Sequence, residues 1–167
     1  MHIAFFQVGQ LESLIDLMQD MSRHYNGVYA SERAAIQANL LERVLGPDSG
    51  VKLLLASVEG RVVGMASVAL LYPAPKEHGQ LQMKELYVVS DYRSRGVGRA
   101  LMLWLARYAV AQRCGRFDWT AEASNTGALA FYEELGARHV TEKRYYRLAD
   151  DALQALAAQA ERERPGE

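Results

Sequence analysis

Apolar positions change period several times along the chain, and each change marks an element. Residues 2–8 (HIAFFQV) are a short apolar run that predicts a strand, and 11–25 place Leu11, Leu14, Ile15, Leu17, Met18 and Met21 at helical spacing. NGVYA interrupts this helix. Ser31 is then placed to cap a second one over 32–45, which Gly46-Pro47 ends. Residues 51–59 and 61–72, rich in Val, Leu and Ala and joined across Gly60, predict a hairpin. PAPKEHGQ is a polar connection into a further strand, 81–89 (LQMKELYVV). After a short glycine-bearing loop, the helical period returns over 100–114, with Leu101, Leu105, Tyr108 and Ala109 along one side. Residues 116–123 alternate as a strand, 126–137 predict a short helix with Gly136 at its C-terminal cap, and 144–148 (RYYRL) predict a last strand. The Ala-rich segment from 149 reads as a helix until Pro165, and the run ERERPGE, 161–167, as a solvated tail.

Composition narrows the class. The 167 residues are 50% hydrophobic, enough for one well-buried domain, and the formal charge of -1 gives no broad positive field for nucleic acid or an acidic membrane. A small-molecule partner is expected instead. Cys114 is the single cysteine, so no internal disulfide forms, and His2, His24, His78 and His139 lack metal-ligand spacing. No metal is expected. The first residues lack a basic segment followed by a long apolar run, and no stretch reaches the roughly 20 apolar residues of a membrane span. The expected location is cytoplasmic. Trp104 and Trp119, each inside an apolar element, are expected in the core.

The loop between the strand at 81–89 and the following helix reads YRSRGVGRA. Backbone N–H groups at a helix start lack intrahelical partners and carry partial positive charge, so they stabilise an anion that can come close. Gly96 and Gly98 remove side chains that would block the approach, and Arg95 and Arg99 add charge. The spacing matches neither a Walker loop nor the three-glycine dinucleotide fingerprint.

LYVVSDYRSRGVGRALM, followed by NTGALAFYEELGA, resembles the GNAT superfamily of acyl-CoA-dependent N-acetyltransferases. VVSDYR and FYEELGA are similar to its diamine (spermidine/spermine type) branch. The resemblance implies a mixed α/β fold: a twisted, mainly antiparallel sheet with helices on both faces and parallel strands splayed at an acyl-CoA cleft. It implies acetyl-CoA as co-substrate and a primary amine as acceptor, attacked directly in a ternary complex, since Cys114 reads as a small hydrophobe at a helix end. Backbone groups of Leu86, Tyr87 and Val88 would bind the pantetheine arm. Arg93, Ser94, Arg95, Gly96, Val97, Gly98 and Arg99 would cradle the pyrophosphate, with Ser94 where relatives often carry glycine. Asn125, Ala128 and Tyr132 would line the coenzyme.

Acetyl transfer to an amine needs an uncharged nitrogen, a stabilised oxyanion and a proton for the leaving thiolate. By the resemblance, Val88 N–H is the oxyanion donor and Tyr132 the acid. The base is open. The carboxylate of the diamine branch falls at Lys84, and that of other members at Gln82. Glu85 stands next door, but regular alternation groups Gln82, Lys84 and Leu86 on one face and Met83, Glu85 and Tyr87 on the other, so only a bulge would re-aim it. Glu122, on the strand before Asn125, is the other candidate. His24 and Tyr25, between the first two helices, together with Gln82 and Lys84, are candidate acceptor contacts, and Lys84 disfavours a polycation. A protein lysine or N-terminal acetyltransferase and a non-catalytic acyl-CoA sensor are the alternatives. A homodimer through the RYYRL edge and the C-terminal helix is also expected.

Overall fold

The computed structural model describes residues 1–162, with side chains to residue 159. They fall into two compact units, Met1–Asn125 and the segment from Thr126 onward. The first unit is a five-stranded sheet in the order β1 (His2–Phe5), β2 (Val51–Val58), β3 (Arg61–Ala74), β4 (His78–Val88), β5 (Cys114–Asp118). The first three pairings are antiparallel and β4–β5 is parallel. A parallel neighbour needs a crossover, which α3 (Val97–Ala111) supplies. β2 and β3 turn on two residues, Glu59 and Gly60, both with positive φ, as a tight hairpin of twisted strands requires.

The two faces are covered by different helices. α1 (Leu11–Asn26) buries Leu14, Ile15 and Leu17, and its Ser13 Oγ accepts the Val62 N–H at 2.8 Å. On the other face α3 buries Val97, Leu101, Met102, Leu105 and Ala109. β2 is covered on both sides, which is why Leu53 to Ser57 are buried without alternation. Gly64 marks the closest approach of α3 to the sheet: a Cβ there would stand 3.0 Å from Val97 Cγ1.

The second helix differs in detail from expectation. α2 spans Arg33–Asn39 and runs on as a π-helical turn, Leu40–Val44. Glu32, not Ser31, is its N-cap; the Ser31 N–H is taken instead by Ser22 Oγ at 2.9 Å. Trp104 and Trp119 are half-buried rather than core. Trp104 stacks on Tyr108 and both meet Phe5 edge-on, while Trp119 packs on Phe117. β5 stops at Asp118 instead of reaching 123, because Thr120 to Asn125 are all exposed and have no face to bury. Cys114 opens this strand rather than ending a helix, and burial pushes its thiol pKa up.

In the second unit α4 spans Thr126–Glu134 and α5 Asp150–Arg162. Gly136, at φ 85°, closes α4: its N–H donates to Glu133 O and that of Ala137 to Tyr132 O. The expected strand at 144–148 is absent. All five residues are exposed, so no apolar face holds them in a ladder, and Arg147 lies over the Tyr145 ring instead. With it goes the edge on which a homodimer was expected. The solvated tail expected at 161–167 lies outside the residues whose side chains are described.

Candidate active site

Partners across a ladder share a face, so the register of β4 on β3 sorts its side chains. Leu81, Met83, Leu86 and Val88 pair with Leu70, Val68, Ala66 and Gly64. Gln82, Glu85 and Tyr87 pair with Ala69, Ser67 and Met65. Gly64 places the first set toward α3, and the Tyr87 hydroxyl, which donates to Asp20 Oδ2 at 2.8 Å, places the second toward α1. Between Met83 and Glu85 β4 carries one extra residue, Lys84, against a single step of β3. This bulge corrects the expected grouping. Glu85 joins Gln82 and Tyr87 on the α1 face, while exposed Lys84 is the bulged residue itself.

The same register shows which backbone groups are open. Val89 N–H donates to Val63 O at 3.0 Å. Hydrogen-bonded pairs alternate, so Tyr87 exchanges its backbone bonds with Met65, and the N–H and C=O groups of Leu86 and Val88 turn away from β3. Pairing with β5 ends at Gln82 and Asp118, before these groups are reached. Of the three residues expected to present backbone groups, Leu86 and Val88 do so and Tyr87 presents its side chain. The Val88 carbonyl has a partner of its own, Arg93 Nε at 2.9 Å.

β4 leads through Val89 and a 3-10 turn at Ser90–Tyr92 into the glycine loop. Ser94 has φ 57° and Gly96 φ 80°, and Gly96 is the N-cap of α3. The left-handed Ser94 explains why glycine suits this position. The loop arginines diverge. Arg93 turns inward, binding Val88 O and lying 5.5 Å over the Tyr87 ring, whereas Arg95 covers Tyr92 and Arg99 is exposed on the first turn of α3. The first N–H groups of α3, from Val97, Gly98 and Arg99, point out of the helix without intrahelical acceptors.

On the α1 side, His24 and Tyr25 lie in the last turn of the helix rather than in a loop. Their rings and that of Tyr87 form a cluster, with centroids 5.2 to 6.1 Å apart. The Tyr25 hydroxyl donates to Glu85 Oε1 at 2.9 Å. Burial, then the charge and hydrogen bond of Glu85, hold the Tyr25 pKa well above the ordinary tyrosine range. Tyr87 is pushed up to about 12 by burial and by its bond to Asp20. Both hydroxyls therefore stay protonated donors at neutral pH. Gln82 is tied sideways, accepting from Gln80 Nε2 at 2.9 Å and donating to Met83 O. Glu122 is exposed and lies past the end of β5, where its C=O accepts the Asn125 N–H at 2.9 Å. Ala128 and Tyr132 are half-buried on α4, with Tyr132 against Phe131.

Asp20 and the inward turn of Arg93 escaped the sequence reading. Asp20 stands four residues before His24 on one helix face, and that spacing was its available signal. Among the described residues no group of three His, Cys, Asp or Glu side chains is placed to hold a metal, and no helix is long and apolar enough to cross a membrane.

Known proteins resemble the chain in sequence and in fold. L-ornithine N5-acetyltransferase NATA1 of Arabidopsis thaliana is 34% identical over 85 residues, 51% of this chain and 37% of that protein. Thialysine N-epsilon-acetyltransferase of Sus scrofa is 29% identical over 80 residues, 46% of this chain and 47% of that protein. The matches thus span less than half the length of these curated relatives. An integron cassette protein from the mobile metagenome of V. cholerae superposes with a TM-score of 0.90 at 36% identity, over 93% of this chain and 96% of that one. A ribosomal-protein-alanine N-acetyltransferase from Brucella melitensis shares the fold, at a TM-score of 0.71 and 20% identity over 89% of this chain and 100% of that one. The sequence profile of the Acetyltransferase (GNAT) family matches residues 12–137, the stretch that runs from α1 through the bulged strand and the glycine loop to α4, and the chain belongs to that family.

Proposed function

We propose that the protein is an acetyl-CoA-dependent N-acetyltransferase that modifies a primary amine of a small molecule by direct attack. The observation that carries this reading is the bulge at Lys84. It turns Glu85 toward Tyr25 on one side of β4, while the N–H of Val88 stays open on the strand edge. A carboxylate to deprotonate the amine and an N–H to hold the oxyanion meet two of the three requirements of acetyl transfer.

The residues present suit the co-substrate. The open N–H and C=O of Leu86 match an amide-bearing arm, and the α3 N-terminus behind a loop with two left-handed residues matches a diphosphate. Acetyl-CoA supplies an acyl thioester. Glu85 takes the proton that the ammonium must lose before it can attack. Val88 N–H faces the oxygen on which charge develops, and because the ladder fixes it, no reorganisation is needed at that moment. Tyr132 returns a proton to the departing thiolate, a role it takes from its place in the NTGALAFYEELGA motif. Cys114, buried enough to raise its pKa, is a poor nucleophile, consistent with a single direct transfer.

Release of free coenzyme A thiol, followed across polyamines, amino acids, aminoglycosides, arylamines and lysine peptides, tests the reading. At least one small amine should raise release well above background, and Glu85→Gln should lower kcat/KM by 10²-fold or more. Acetyl-CoA binding without stimulated release by any amine would instead favour a sensor.

A further inference from the structure

The two sides of α1 border two clefts of different chemistry. One, of about 320 Å³, is lined by charged groups that include Asp16, Asp20, Arg23, Arg61 and Asp91. The other, of about 360 Å³, lies between α1 and α2 and is lined by Met18, Met21, Ser22, Tyr25, Ile36 and Asn39 among others, none of them charged. Tyr25 belongs to this second cleft and also holds Glu85. Its volume is within the usual range for small-molecule sites.

Resting on the N-acetyltransferase reading, we infer that the α1–α2 cleft receives the tail of the acceptor and selects an amine whose tail is uncharged. An amine directed at Glu85 past the Tyr25 ring extends its remainder into this cleft. A second ammonium there would lose water and meet no carboxylate, and a carboxylate would meet no arginine or lysine. The polar groups suit a neutral ligand. Ser22 Oγ is already engaged by the Ser31 N–H at 2.9 Å and by Asn26 Nδ2 at 3.4 Å, and Met18, Met21 and Ile36 supply apolar contact. Lys84, exposed beside Glu85, adds a further unfavourable charge for a dication. The side chains of this cleft therefore disfavour a diamine as acceptor.

Three amines of equal length test this: n-hexylamine, 1,6-diaminohexane and 6-aminohexanoate, with kcat/KM measured from thiol release. Hexylamine should exceed each of the others at least tenfold. In Asn39→Asp, which adds a carboxylate to the cleft without changing its volume, the ratio of diaminohexane to hexylamine should rise several-fold while acetyl-CoA affinity, read by calorimetry, stays constant. Values for the three amines within threefold of one another, preference for a charged tail, or an unchanged ratio in Asn39→Asp would overturn the inference alone. So would turnover of other amines with none of these three. Failure of every amine despite acetyl-CoA binding would overturn the N-acetyltransferase reading itself.

Discussion

Gly64→Ala is a perturbation outside the site whose effect the geometry predicts. The new methyl carbon would lie 3.0 Å from Val97 Cγ1, 3.3 Å from the Tyr87 carbonyl oxygen and 3.4 Å from Leu101 Cδ1. Tyr87 O is backbone in the neighbouring strand and cannot yield. Val97 and Leu101 are 3% and 0% exposed, so α3 must move outward by a few tenths of an ångström. Overpacking of this kind costs about 1–3 kcal/mol. Loss of glycine's freedom in the unfolded chain offsets about 0.4–1 kcal/mol of that. The expected net loss is about 1–2 kcal/mol, read by urea titration, with Tm falling by about 2–4 °C per kcal/mol for a chain of this size. Val97 is the first residue of α3 after the Gly96 cap, so the displacement reaches the glycine loop, and acetyl-CoA affinity should weaken several-fold. A variant as stable as the parent, binding acetyl-CoA equally well, would refute the reasoning that this glycine sets the seat of the loop.

Arg93→Ala should lower stability by about 1–2 kcal/mol, the sum expected for an exposed cation–π contact and one hydrogen bond, and should lower kcat more than it raises KM for acetyl-CoA. Rescue of both by Arg93→Lys would show that only charge near the loop matters. Tyr87 keeps its proton more tightly in the fold, at about 12, than in the unfolded chain, near 10. Its contribution is therefore complete below pH 10 and is lost as pH rises toward 12; in Tyr87→Phe, denaturation midpoints across this window should fall less steeply. Ser94→Gly relieves a left-handed serine and should stabilise by up to about 1 kcal/mol in guanidinium titrations, with no gain if the hydroxyl makes a compensating bond.

The fold class, α1, the hairpin, the β4–loop–α3 order and the Gly136 cap were legible because each is a local signal: a period, a turn residue or a cap. The face of Glu85 was not, since alternation predicts a direction only while a strand stays regular, and the bulge at Lys84 leaves no mark in the letters KEL. RYYRL shows the opposite failure. Its composition suits a strand, but a strand needs a buried side, and none of these residues has one. His24 and Tyr25 were chosen as acceptor contacts from their place in the chain, yet what ties them to β4 is the ring of Tyr87 and the carboxylate of Glu85, some 60 residues away. Arg93 was grouped with its loop neighbours as part of a pyrophosphate cradle, while its direction depends on a carbonyl that only the parted strands expose.

The extra residue at Lys84 works as a phase shift. Before it, odd-numbered side chains of β4 belong to α3; after it, they belong to α1. A substitution scan from Gly79 to Val88 should therefore show two stripes of tolerance that fall out of step at a single position. Removing Lys84 would leave both stripes where they are, because every partner pair on either side of it is already in register. What would change is the bend of the strand, and so the shape of Lys84's contribution would be read in catalysis with the packing of either face left intact.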